Sequence, residues 1–170
     1  MKFLVLALCI VGASCDLIPF STDQTNKIRE SWNQIKNNGV DILYYIFKEN
    51  PDIQDKFPQF AGKDLDSIKD TSDFSKHASN VIRFFSELIP IIEGKPNVAS
   101  SKFLIDNLAG THKARGVTKD QFNKFRASLT NYIEDNVPLG KNVSAVWQKA
   151  LDGVYSYLYL ALDGNSFKLW

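Results

Sequence analysis

From residue 20 onward the apolar positions recur every three to four residues, the period of an amphipathic helix. Ile28, Trp32 and Ile35 form a first stripe, opened by Ser21-Thr22-Asp23-Gln24, in which hydroxyl and carboxamide can each satisfy the other residue's backbone N–H. Asn37-Asn38-Gly39 predicts its end, after which Val40, Leu43 and Phe47 share a face. Asn50-Pro51 reads as an N-cap with proline at the first helical position, and Phe57–Lys63, with Pro58 and Gly62, as a loop or short turn. Phe74, Ala78, Val81, Phe85, Leu88 and Ile92 mark a long helix, with a kink expected at Pro90. Leu104, Leu108 and His112 line the next. Thr118-Lys119-Asp120-Gln121 repeats the capping box ahead of Phe122, Phe125, Leu129 and Ile133. A strongly apolar helix follows, with Val143, Val146, Trp147, Ala150, Leu151, Val154, Leu158 and Leu162. No stretch alternates convincingly as a strand would, so the pattern predicts one all-α domain.

The first fifteen residues have a different logic. A basic Met1-Lys2 start precedes the apolar run Phe3–Val11, and Ala13 and Cys15 stand three and one residues before Asp16. This is the layout of a secretory signal peptide cut before Asp16, and the run is far short of the ~20 residues that span a bilayer. The expected organisation is therefore a cleaved signal at 1–15 and a single domain at 16–170, with no membrane attachment once the signal is gone. The cut removes both cysteines and Lys2, leaving 19 basic against 19 acidic residues and no thiol. An oxidising compartment without disulfides leaves stability to the core or to a bound group. It also removes cysteine nucleophiles, thiolate zinc sites and iron–sulfur clusters. Asn142-Val143-Ser144 is a glycosylation sequon, which expects that segment at the surface.

The chemistry then narrows to two histidines, His77 and His112, each on an apolar stripe. Either one alone fits a satisfied core residue better than a ligand. Several competing sites fail on spacing. There is no His-Glu-x-x-His, the residues three before the histidines are Phe74 and Ala109 rather than glutamate, and no nucleophile-elbow or phosphate-binding glycine loop occurs. Basic residues are scattered, which argues against nucleic acid. A cofactor needing one or two imidazoles and a large apolar pocket remains compatible, and haem fits that description. The tryptophans and tyrosines (Trp32, Trp147, Trp170, Tyr155, Tyr157, Tyr159) read as core or ordinary surface, which expects a monomer or weak homodimer.

The runs Lys56-Phe57-Pro58-Gln59-Phe60-Ala61-Gly62-Lys63-Asp64-Leu65 and His112-Lys113-Ala114-Arg115-Gly116-Val117-Thr118, with His77 between them, resemble globins, and most closely the secreted larval haemoglobins of midges. The resemblance implies a globin fold of seven to eight helices around haem b (iron protoporphyrin IX). It implies His112 as the proximal iron ligand, and His77 as the distal residue on the side of O2 and other diatomic gases. It further implies Phe57 and Phe60 as haem-wall aromatics, Val81 beside the gas, and Leu43, Leu108, Val117 and Phe125 as pocket positions. Leu108 (carbonyl) and Thr111 (hydroxyl) are candidates to hold the second N–H of His112. Arg115 is a candidate partner for a haem propionate, or equally a cation at a helix C-terminus. The implied function is reversible oxygen binding for transport or storage in an extracellular fluid such as haemolymph, without enzymatic activity. A haem enzyme of peroxidase or nitric-oxide dioxygenase type, and a haem-free helical carrier, are the alternatives. Some positions depart from the family pattern. The 35-residue interval between the histidines is longer than usual, with the surplus around Pro90–Pro96. Lys119 stands where related midge proteins often carry histidine. Asn80, with Arg83 further along, stands where some carry arginine.

Overall fold

The computed structural model describes residues 20–93, 98–138 and 142–165, with backbone only for 98–100. The signal-peptide reading, residues 94–97 of the interhistidine surplus, and Trp170 lie outside the described residues. All regular structure among the described residues is helical: α1 (Thr22–Ile35), α2 (Gly39–Glu49), α3 (Pro51–Gln54), α4 (Leu65–Ile68), α5 (Ser72–Ile92), α6 (Val98–Lys113), α7 (Lys119–Asn136) and α8 (Val143–Leu162). This is the expected all-α fold.

Both capping boxes form. The Ser21 hydroxyl accepts from the Gln24 N–H at 3.2 Å while Ser21 N–H donates to Gln24 Oε1 at 3.1 Å, and Thr118 and Gln121 repeat the exchange at α7. Asn50 departs from the expectation. Pro51 does occupy the first position of α3, but the Asn50 carboxamide turns back to donate to the Ile46 carbonyl (3.0 Å) and to Ser128 Oγ (2.8 Å), bracing α2 on α7. A long-range partner outcompetes the local cap. α5 runs for two residues beyond Pro90, which lies exposed in its last turn; so near the end, the missing N–H costs little continuity.

α2 lies against α5 and α7, and α8 against α1, α6 and α7. Gly39 permits the first crossing: a Cβ there would meet Ile82 Cγ1 at 2.8 Å. The central packing joins Trp32, Phe85 and Trp147, with ring centroids 5.3–6.1 Å apart. Each indole N–H in this cluster has a hydroxyl acceptor, Trp32 to Ser86 at 3.1 Å and Trp147 to Ser31 at 2.8 Å. Trp32, Trp147, Tyr155 and Tyr157 are thus core residues, as the reading of them allowed. The end of α8 is tied to the start of α7 by Lys119, whose ammonium lies 2.7 Å from the Asp163 carboxylate. α5 and α6, by contrast, touch only lightly and stand on either side of a cleft.

Candidate functional site

The cleft encloses a cavity of about 550 Å³, within the range of small-molecule sites. α5 contributes His77, Val81 and Phe84; α6 contributes Leu104, Leu108 and His112. Leu43 comes from α2, Phe57 from the turn after α3, Val117 from the turn after α6, and Phe125 from α7. The two histidines lie far apart in the chain, on separate helices, yet both face one space.

Each is positioned by identifiable local structure. α6 ends in a Schellman turn: Gly116, at φ +66°, donates to the Lys113 carbonyl at 2.9 Å, and Val117 donates to the His112 carbonyl at 3.1 Å. The positive φ suits glycine, and the turn fixes the backbone of His112 while bringing Val117 to the cavity. The His112 ring is held as well. Its Nδ1 is 2.9 Å from the Leu108 carbonyl and 3.2 Å from Thr111 Oγ1. A carbonyl only accepts, so Nδ1 carries the proton and Nε2 keeps its lone pair. Opposite, His77 makes no hydrogen bond among the described residues; its ring packs edge-on against Phe57 at 4.4 Å. Burial pushes the His77 imidazole down from 6.5 to about 4, with the neighbouring His112 and Arg115 charges acting in the same sense. His112 is also lowered by burial, opposed by its bond to Leu108. Both rings are neutral near pH 7, the form in which imidazole ligates a metal.

Phe57 is presented by a compact turn rather than a loose loop. Phe60 and Ala61 N–H both donate to the Phe57 carbonyl at 2.8 Å, and the buried Gln54 carboxamide bonds to the carbonyls of Phe60 (2.9 Å) and Lys63 (2.8 Å). Nothing local in the sequence marked Gln54 for this role. Of the ten sequence-predicted site residues, nine line the cavity: Leu43, Phe57, His77, Val81, Leu108, His112, Arg115, Val117 and Phe125. The structure places Phe60 one layer behind, packed on Phe57 (5.7 Å), Phe47 (6.1 Å) and Phe74 (5.6 Å). It supports the wall without forming its surface.

The cavity also has residues the sequence reading did not assign to it. Phe122 stacks obliquely on His112 at 5.3 Å, and fully buried Tyr155 stands behind it, its hydroxyl donating to the Phe122 carbonyl at 3.1 Å. Their i, i+3 partnership of Phe122 with Phe125 was a usable signal; Tyr155, on an apolar stripe of α8, offered none. At the mouth are Arg83, donating to Asn80 Oδ1 at 3.2 Å, and Arg115, donating to the Thr111 carbonyl at 2.9 Å. Neither forms an ion pair among the described residues. Arg115 therefore serves the helix end and still keeps four N–H groups for an anion. Lys119 does not line the cavity; its ammonium is held by Asp163 and lies over the Tyr159 ring.

This donor set fits haem on three counts. No group of three or more histidine, cysteine or acidic side chains that could hold a bare metal ion occurs among the described residues, whereas haem, whose iron comes with ligands of its own, would ask the protein for only one or two imidazoles. One imidazole lone pair is free and aimed by a fixed ring. The walls are apolar while unpaired guanidinium groups sit at the rim, matching a flat apolar ring that carries carboxylates.

The family model Globin matches residues 40–158. The chain is 47% identical over 159 residues to globin CTT-II beta of Chironomus thummi thummi, covering 94% of this chain and 98% of that one. It is 50% identical over 160 residues to globin CTT-Z of Chironomus thummi piger, covering 94% and 97%. Among solved structures it is similar to haemoglobin component TA-VII of Tokunagayusurika akamusi, with TM-score 0.79 and 32% identity over 85% of this chain and 97% of that one.

Proposed function

The chain belongs to the globin family and binds haem, and from that premise we propose that it is a secreted carrier that binds oxygen reversibly, with His112 as the iron ligand and His77 on the gas side. The observation that carries this reading is the pair of neutral imidazoles facing one apolar cavity, one ring fixed through Leu108 and the other free of hydrogen bonds. Haem supplies a ferrous iron that binds diatomic gases. The protein's part is to hold, orient and shield it. His112 offers Nε2, and the Leu108 carbonyl keeps that nitrogen aimed and electron-rich. His77 can donate a hydrogen bond to a polar gas, and one to a charged acceptor contributes about 1.5–3 kcal/mol. Phe57, Val81 and Phe125 would exclude water from a bound haem, with Phe60 backing the first of them. Arg83 and Arg115, at the rim of the cavity, would pair with the haem carboxylates.

Secretion is supported by the charge and apolar layout of residues 1–15, which makes 16–170 the mature domain. Among the described residues no helix is long and apolar enough to cross a membrane. A non-enzymatic carrier agrees with the gas-side contacts: the His77 ring packs on Phe57 and makes no hydrogen bond among the described residues, and Val81, one turn on, lines the wall. Oxygen titration tests the reading: the reduced haem-loaded protein should change spectrum on adding oxygen and recover fully on its removal. Steady turnover of peroxide or of nitric oxide in place of reversible uptake would reverse the assignment in favour of an enzyme.

A further inference from the structure

We propose that Asn142 is a glycosylation site, its carboxamide nitrogen carrying an N-linked glycan, an inference that rests on the secretion reading above. Asn142-Val143-Ser144 is the sole Asn-x-Ser/Thr triplet of the sequence. The structure adds what the triplet alone lacks. Asparagine occupies the N-cap position of three helices, α2, α3 and α8, and caps none of them. The first two carboxamides are used in tertiary structure: Asn38 bonds to the Tyr132 side chain, and Asn50 bonds to Ile46 and Ser128. Asn142 makes no such bond among the described residues.

The backbone explains why. The four residues whose side chains do cap, Ser21, Asp64, Thr71 and Thr118, all have extended ψ values between 129° and 161°. Asn142 has ψ 6°, well outside that range, and its side chain makes no cap hydrogen bond, so one of the preferred capping residues is left unused. Val143, the next residue, is buried at 2% exposure and pins the start of α8, whereas Asn142 itself is exposed. A glycan here projects into solvent. It also stays clear of the haem site, since Tyr155, the α8 residue at the cavity, is 13 residues further on and so about 20 Å along the helix.

The donor is an oligosaccharide on a lipid diphosphate, the class of co-substrate met by chains entering the secretory route. The Asn142 nitrogen forms a bond to the anomeric carbon, the sugar–phosphate bond breaks with its electron pair leaving on the lipid diphosphate, and the nitrogen loses one proton. No electron is transferred.

The test expresses the full chain in insect cells and takes intact masses from medium and cell pellet, with and without a peptide-N-glycosidase. The expected result is protein in the medium that begins at Asp16, is heavier than its polypeptide, and loses the excess on digestion with conversion of Asn142 to aspartate. Asn142→Gln and Ser144→Ala should each abolish the excess, and Ser144→Thr should retain it. Protein in the medium that begins at Asp16 with bare polypeptide mass overturns the glycan and leaves secretion standing. Protein confined to the cells with residues 1–15 attached overturns both.

Discussion

The two walls of the cleft between α5 and α6 carry the same residue type at similar depth and treat it differently. On α6, His112 stands in the last turn, its backbone carbonyl closed by the Schellman turn and its ring held by the Leu108 carbonyl, with Thr111 beside it. On α5, His77 sits in mid-helix with an aromatic edge contact and no hydrogen bond among the described residues. A fixed ring with a free lone pair is built to stay on a metal. A ring with an unused N–H is built to answer whatever enters the cavity. The difference lies in the partners each helix provides, not in the imidazoles.

The largest test of that contrast is to delete the fixed ring. His112→Gly should lose haem on gel filtration, seen as loss of the Soret band, and recover it when imidazole is supplied. Retention without imidazole would move the ligand to His77. Acid titration of the haem-free protein comes next. Both folded-state imidazoles have pKa values below 6.5, so the unfolded chain binds more protons as pH falls through that value. Their contribution to stability is therefore complete above pH 6.5 and is lost on the way down towards about 4. His77→Leu should remove more of this acid sensitivity than His112→Leu, because burial at His112 is opposed by its bond to Leu108. Equal loss in urea midpoints across that range would erase the distinction between the walls.

Within the haem-loaded protein, His77→Leu should speed oxygen release by about tenfold to a hundredfold, from the ~1.5–3 kcal/mol of a hydrogen bond to a charged acceptor, and leave haem retention unchanged. Stopped-flow dissociation measures it, and an unchanged rate would mean that His77 does not meet the gas. The smallest effect belongs to Thr111→Val. Losing a hydroxyl 3.2 Å from Nδ1 while keeping the Leu108 bond should raise the haem-loss rate only a few-fold, for a change of about 0.5–1.5 kcal/mol. A collapse of haem binding there would shift the anchoring role from Leu108 to Thr111.

What was legible from the residues was whatever local spacing determines. Both capping boxes, the stripes of α1, α5, α7 and α8, and the pair Leu108/Thr111 as holders of His112 are short-range relations, and the folded chain keeps them. Relations across the chain were not legible. Asn50 abandons its cap for Ser128, 78 residues away, and its partly buried carboxamide braces α2 on α7 instead of closing a local turn. Gln54 staples the Phe57 turn, Tyr155 reaches the Phe122 carbonyl behind His112, and Phe60 falls behind Phe57 because the turn that holds both presents one ring and buries the other. The sequence by itself thus determined an all-α domain with two imidazoles and no thiol beyond its first fifteen residues. Only the tertiary structure decided that those imidazoles share one cavity, and that one ring is fixed while the other stays free. Helical periodicity orients a side chain relative to its own helix, but the crossing of helices sets what it faces.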